Sequence, residues 1–325
     1  MSEHKKIPIL CVVGPTASGK SALALELAAR LGGEIVSCDS MQVYRRMDVG
    51  TAKPTQEEQA RVPHHLIDIV EPDTAFSCAE YVTVANRVIA DVSARGGLPI
   101  VCGGTGLYLD ALLRGSGFEE NRGDPALRES LFAFAEQNGN HALHERLRAV
   151  DPESANAIHE NNVKRVVRAI EIYELTGMTK SESDRRSRMG DSPYAATVLG
   201  LRYEPREILY ERIDRRVDAM LAEGLCEETE RLLREGVFEK NSTAAQAIGY
   251  KELLGYFAGT QTLEEAVAEL KGATRRYAKR QMTWFGAKQY VHWIDMVDSG
   301  RVISRDEVLE RAQKLIDTAS CAGKA

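Results

Sequence analysis

The sequence predicts an α/β protein, a parallel sheet flanked by helices with an all-helical insertion domain. Three observations carry that expectation. Residues 14–21 read Gly-Pro-Thr-Ala-Ser-Gly-Lys-Ser, the pattern G-x-x-x-x-G-K-[ST] with every fixed position filled. Short apolar runs recur along the chain and end in turns beside helical patterns, the rhythm of a parallel sheet. From residue 119 to 193 strand candidates stop, and the chain turns polar and helical.

In chain order, residues 7–13 form an apolar stretch that reads as a buried strand, and residues 21–31 carry apolar side chains at helical spacing up to Gly32 and Gly33. Strand, glycine loop and helix together make residues 14–21 a di- or triphosphate site, in the manner of the P-loop NTPases. Successive backbone N–H groups turn inward, the helix dipole adds to them, and Lys20 brings a full charge. The Ser21 hydroxyl can ligate Mg²⁺. Which phosphate binds is left open by the loop itself.

A second strand, residues 34–38, ends at Asp39, Ser40, Met41 and Gln42. Ligands of open α/β sheets gather at the carboxyl ends of strands, so Asp39 lies one loop from the phosphate cradle. It can act as base or acceptor-orienting group there, or cap the next turn. Residues 44–75 read as a loop-rich crossover with one short strand near 66–70. His64 and His65 alternate sides on a strand, which suits a structural or substrate-positioning role better than a shared metal. A helix over 77–95 and a buried strand over 98–102 follow. The strand runs into Gly-Gly-Thr-Gly-Leu-Tyr at 103–108, a second glycine turn opening a helix, expected to face the same crevice.

Within the insertion the clearest helix runs from the Asn161/Asn162 cap to Gly177. Val163, Val166, Val167, Ile170 and Tyr173 form its buried stripe, with Lys164, Arg165 and Arg168 off it. For these cations, and for Arg185, Arg186 and Arg188, a solvated face is the default reading. Turn signals stand at 121–125 and 190–193. A strand over 196–201 returns the chain to the sheet. A helix over 206–221 then puts Arg212 and Arg216 four residues apart on one face, with Glu211, Asp214 and Asp218 close enough to pair with its arginines. The last strong helix, 264–285, places Val267, Leu270, Thr274, Tyr277, Gln281 and Trp284 on one stripe. Lys271, Arg275, Arg276, Lys279 and Arg280 crowd the rest, five cations almost unopposed, the look of a polyanion-facing surface. The expected domains are a P-loop core (1–118 and 194–318), the helical insertion (119–193) and a tail (319–325).

Composition sets the frame. Of 325 residues 43% are hydrophobic and 28% charged, an ordinary soluble balance. No apolar run approaches the roughly 18 residues of a membrane span. The formal charge of −6 argues weakly against a nucleic-acid partner, although local clustering decides that question. The six cysteines are scattered without a C-x-x-C pair, so reduced, mostly buried thiols and no zinc site are expected. With a charged start leading straight into the first strand, the expectation is a cytoplasmic protein with no membrane partner.

At this point the chain resembles the bacterial tRNA dimethylallyltransferases, the IPP transferase family. The resemblance rests on GPTASGKS at 14–21, DSMQVYRRMDVGTAKP at 39–54, PHHLIDI at 63–69 and GGTGLY at 103–108. It continues through RVVRAIEIYELTG at 165–177, QAIGYKE at 246–252 and YAKRQMTWF at 277–285. It implies a P-loop core with a helical insertion that grips the anticodon stem-loop, and transfer of a dimethylallyl group to the N6 amine of the adenosine 3′ of the anticodon. Dimethylallyl diphosphate and Mg²⁺ are thereby implied, with Ser21 on the metal. The resemblance assigns the diphosphate to Gly14, Pro15, Thr16, Ala17, Ser18, Gly19, Lys20, Ser21, Arg212 and Arg216. Asp39 becomes the base, and Thr16 bonds the departing oxygens. Ser40, Met41, Gln42 and Thr105 meet the target nucleotide. Further tRNA contacts fall on Asn162, Val163, Lys164, Arg165, Val166, Gln246, Gly249, Tyr250, Lys251, Lys279 and Arg280. A monomer is expected, since a clamp on one stem-loop needs no partner. Gly286 stands where the family usually has Arg, and nothing resembles the eukaryotic relatives' C-terminal zinc finger. The competing readings are a small-molecule P-loop kinase, disfavoured by the basic final helix and the lack of an Arg-rich lid after the third strand, and an RNA-binding P-loop switch protein.

Overall fold

Period-two alternation in the first strand, β1 (Ile7–Val13), sets the layering: Leu10 and Val12 enter one core, while Ile9, Cys11 and Val13 enter another on the opposite face. The structure is a computed structural model and describes residues 6–114, 123–189, 192–239 and 243–322. The turn signals at 121–122 and 190–191, the chain start and the Arg188 side chain lie outside the described residues.

Two compact units are present, residues 1–113 with 194–325, and residues 114–193. In the first, β1 leads to α1 (Lys20–Leu31), β2 (Gly33–Ser37), α2 (Gln56–Arg61), β3 (His64–His65), α3 (Cys78–Ala94), β4 (Leu98–Gly103) and α4 (Gly106–Arg114). The second unit holds α5 (Pro125–Asn138), α6 (Asn140–Val150), α7 (Pro152–Ala157), α8 (Val163–Thr176) and α9 (Lys180–Met189). The chain returns through β5 (Tyr194–Arg202), α10 (Arg206–Ala222), α11 (Leu225–Arg234), a 3₁₀ turn (Ala244–Gln246), α12 (Leu254–Phe257) and α13 (Leu263–Gly286). It ends with β6 (Val291–Asp295), the small hairpin β7 (Val297–Asp298) and β8 (Arg301–Val302), and α14 (Arg305–Ala322). Helix α14 thus carries regular structure past residue 318, into the stretch expected as a tail.

The main sheet has six strands, all parallel, in the order β3-β2-β4-β1-β5-β6. Sequential strands lie on both sides of β1, so β1 borders the switch point where a crevice opens at the strands' carboxyl ends. This P-loop NTPase-like arrangement agrees with the expected fold class. A third core lies under the loops at that end, where Val43, Tyr44, Met47, Tyr250 and Leu253 pack against α10, α11 and α13. The helical unit has its own core from Leu131, Leu143, Leu147, Val166, Val167 and Ile170.

Two local departures have physical causes. The short strand expected at 66–70 pairs two residues earlier, because Leu66 and Asp68 adopt left-handed backbone that cannot continue a strand, with φ of 64° and 56°. Helix α2 was not expected, yet its Thr55–Glu58 capping box is complete. Cys11, Cys38 and Cys102 are buried free thiols and Cys78 and Cys226 half-buried ones; burial raises their pKa values and keeps them neutral.

Candidate active site

The loop between β1 and α1 supplies the anion cradle. Gly14, Ala17 and Gly19 take positive φ of 153°, 63° and 93°, the last two in the left-handed region. Space is as tight as conformation: a Cβ on Gly14 would lie 3.0 Å from the Ser18 hydroxyl and 3.3 Å from the Leu201 carbonyl. Tyr203 props the loop by donating its hydroxyl to the Ser18 carbonyl at 3.0 Å.

The loop opens on a cavity of about 440 Å³ belonging wholly to the first unit. Thr16, Lys20 and Ser21 line it together with Asp39, Ser40, Met41 and Gln42, with Arg216 from α10 and Arg280 from α13. Gln246, Gly249 and Lys251 also reach it. Burial lowers the pKa of both Lys20 and Arg216; the Arg216 charge lowers that of Lys20 further, and Asp39 opposes the shift in both. The Lys20 ammonium donates to the Pro15 carbonyl at 3.3 Å. Both cations line the same cavity.

Asp39 is positioned by its own turn: Oδ1 accepts the Met41 N–H at 2.9 Å, leaving the other carboxylate oxygen outside that bond. Neighbouring loops lock to it. Ser40 N–H donates to Thr105 Oγ1 at 3.0 Å, and Thr105 N–H donates to the Cys38 carbonyl at 3.2 Å. A Cβ on Gly103 would lie 2.1 Å from that carbonyl oxygen, so glycine permits the approach of the loop after β4. Gln42 is held as well, donating to the Thr51 and Ala52 carbonyls at 3.3 and 3.1 Å.

Several assignments change when geometry is applied. Arg212 does not line this cavity. Its Nε donates to the Ala17 carbonyl at 2.9 Å and its guanidinium lies over the Tyr203 ring, so it braces the loop from a second, smaller hollow. Tyr250 and Val166 are fully buried and offer no side chain to RNA. Asn162, Lys164 and Arg165 are exposed at the start of α8. Of the five cations on α13, two are neutralised by α10, Lys271 by Asp218 at 2.5 Å and Arg275 by Asp214. Arg276, Lys279 and Arg280 have no ion-pair partner among the described residues. Arg185 and Arg186 pair with Glu153 and Glu182, the solvated-face arrangement.

His64 and His65 were expected in a structural or substrate-positioning role, whereas Lys53 and Glu228 were not singled out from sequence. His64 faces the cavity, its Nδ1 2.7 Å from the Val62 carbonyl, and burial lowers its pKa. His65 turns away to Glu34 at 2.7 Å, the alternation expected of adjacent strand residues. Lys53 is buried between the Tyr44 carbonyl, Asp48 and Asp68 at 2.5–2.7 Å. Glu228 accepts from the N–H groups of Asp48, Val49 and Gly50 at 3.0–3.1 Å and from the Tyr250 hydroxyl at 2.7 Å. That carboxylate shapes the 48–50 segment, and a Cβ on Gly50 would fall 2.4 Å from the Tyr250 ring. Glu228→Ala is expected to cost about 3 kcal/mol or more, because each orphaned N–H costs about 1–3 kcal/mol. The thermal midpoint should fall by about 6–12 °C. A midpoint within 2 °C of wild type would show that the network carries little stability.

Fold and site together define a P-loop protein whose cradle shares one cavity with a carboxylate. A model of the family described as IPP transferase matches residues 42–289. The chain belongs to the IPP transferase family. It is 48% identical over 293 residues to the tRNA dimethylallyltransferase of Caldanaerobacter subterraneus subsp. tengcongensis, covering 90% of this chain and 93% of the relative. It is 49% identical over 292 residues to the tRNA dimethylallyltransferase of Bacillus pumilus, covering 90% of each. Among solved structures it resembles the full-length tRNA isopentenylpyrophosphate transferase from Bacillus halodurans, with a TM-score of 0.71, 43% identity, and coverage of 98% of this chain and 100% of that one. It also resembles a eukaryotic dimethylallyltransferase acting on tRNA, with a TM-score of 0.80, 28% identity, and coverage of 96% and 80%.

Proposed function

We propose that this chain transfers the dimethylallyl group of dimethylallyl diphosphate to N6 of the adenosine 3′-adjacent to the anticodon in tRNA. The products are N6-(dimethylallyl)adenosine and pyrophosphate. The observation that carries this reading is that a single cavity is lined by the phosphate loop, by Arg216 and by Asp39. Leaving group and attacking amine need such adjacency.

The C1–O bond of the allylic diphosphate breaks and an N6–C1 bond forms. Charge builds on the departing pyrophosphate, where Lys20, Arg216, the Thr16 hydroxyl and the N–H groups of the loop stabilise it. The adenine amine is a poor nucleophile, since its lone pair is delocalised into the ring. Asp39 accepts its proton as the new bond forms. Ser21 offers a hydroxyl oxygen on the cavity wall, a hard donor of the kind that holds Mg²⁺ beside a diphosphate. When bound there, Mg²⁺ supplies Lewis-acid neutralisation of the pyrophosphate. The adenosine leaves its stack to enter the cavity, past Ser40, Met41, Gln42 and Thr105. Asn162, Val163, Lys164 and Arg165 of the helical unit, and Gln246, Gly249, Lys251, Lys279 and Arg280, contact the anticodon stem-loop. The enzyme works as a cytoplasmic monomer; among the described residues no helix is long and apolar enough to cross a membrane.

The test is transfer of label from dimethylallyl diphosphate, with Mg²⁺, to unmodified tRNA, with labelled ATP in parallel. Label in RNA is expected; consumption of ATP without it would put the P-loop kinase first. RNA binding has its own test. Replacing Lys279 and Arg280 by Ala should weaken tRNA binding and flatten the slope of log Kobs against log salt by about 1.4–1.8. An unchanged slope would place those side chains away from phosphate.

A further inference from the structure

Gln281 of α13 lines the cavity, yet it belongs to neither the phosphate-binding pattern nor the carboxylate loop. Its amide is buried and engaged at both ends. Oε1 accepts the Thr16 N–H at 2.8 Å, and Nε2 donates to the Gly104 carbonyl at 3.0 Å. One side chain from a third element therefore ties the loop after β1 to the loop after β4. The fit leaves no slack, since a Cβ on Gly104 would lie 2.1 Å from Nε2.

Each bond has a consequence for the site. Pro15 has no N–H, so Thr16 carries the first backbone donor after Gly14, and Gln281 takes it. That donor is spent within the protein, and the loop is pinned with Thr16 at the cavity wall. At the other end, Gly104 precedes Thr105, whose N–H donates to the Cys38 carbonyl and whose hydroxyl accepts the Ser40 N–H beside Asp39. The amide thus links Thr16 to the Asp39 segment through one short chain of hydrogen bonds.

We propose that Gln281 is a positioning residue for prenyl transfer, holding the diphosphate loop and the carboxylate loop in the separation that displacement requires. It acts through Thr16 and Thr105, and the inference rests on the reading of the cavity given above. A buried amide that served stability alone would affect melting and leave turnover per folded molecule unchanged.

Two variants separate these roles. Gln281→Met keeps the volume and removes both bonds. Gln281→Glu keeps the acceptor for Thr16 but, when ionised, loses the donor to Gly104. Misplacement of reacting groups by about 1 Å costs on the order of 10²-fold in rate, so Gln281→Met should lose about that much kcat with tRNA affinity within about twofold of wild type. For Gln281→Glu the ratio of its kcat to that of wild type should rise as pH falls, because the protonated carboxyl regains a donor. Folded Gln281→Met with kcat within twofold of wild type would overturn the proposal. If that variant does not fold, a flat pH ratio for Gln281→Glu overturns it instead. Direct binding of inorganic pyrophosphate with Mg²⁺ distinguishes the two levels of the argument. A wild-type chain that binds pyrophosphate but transfers no prenyl label sinks the proposed function alone. Gln281 is then decided by whether Gln281→Met weakens pyrophosphate binding about tenfold or leaves it unchanged.

Discussion

Asp39→Asn should lower kcat for prenyl transfer by about 10²–10⁴-fold, the range a positioned general base contributes. Asn keeps an oxygen that can accept the Met41 N–H, so the turn that places residue 39 survives and only proton acceptance is lost. Affinity for tRNA should stay near wild type, because the base strengthens its interaction in the transition state and not in the ground state. Single-turnover rates beside equilibrium tRNA binding would separate the two effects. A variant that binds tRNA weakly but reacts at the normal rate once bound would make Asp39 a recognition residue.

Lys20→Met carries the second large expectation. Burial lowers the pKa of both Lys20 and Arg216, which is the signature of cations kept short of water, and Asp39 only opposes that shift. Bound diphosphate supplies the missing negative charge, and the growing charge on its leaving oxygen strengthens that pairing in the transition state. Loss of one such donor costs about 10²–10³-fold in kcat. Pyrophosphate should also inhibit the variant more weakly than wild type. Full activity in Lys20→Met would mean that the diphosphate sits elsewhere.

Much of the fold was legible because its signals are local. The alternation in β1, the phosphate-binding pattern and the glycine turn at 103–106 each declare themselves within about ten residues, and the β-α-β rhythm fixes parallel pairing. The carboxylate at the end of β2 was placed by the same rule. What escaped was set by distance in the chain. Gln281 reads as one more member of an apolar helical stripe, and its two partners lie 265 and 177 residues away. The charge count on α13 missed Asp214 and Asp218, which arrive from a neighbouring helix and neutralise two of its five cations. Arg212 and Arg216 share a face by spacing, but the phosphate loop comes between their roles, one bracing it and one facing the cavity. The shifted β3 turns on left-handed backbone at Leu66 and Asp68, two residue types whose identity does not announce it.

The central claim is that one cavity brings an allylic diphosphate to the exocyclic amine of a single adenosine. Nucleoside analysis of tRNA after reaction with labelled dimethylallyl diphosphate tests it most directly, using paired substrates with adenosine or guanosine 3′ of the anticodon. All label should appear as N6-(dimethylallyl)adenosine from the first substrate, and none from the second. Equal labelling of both, or label on any other nucleoside, would contradict the account.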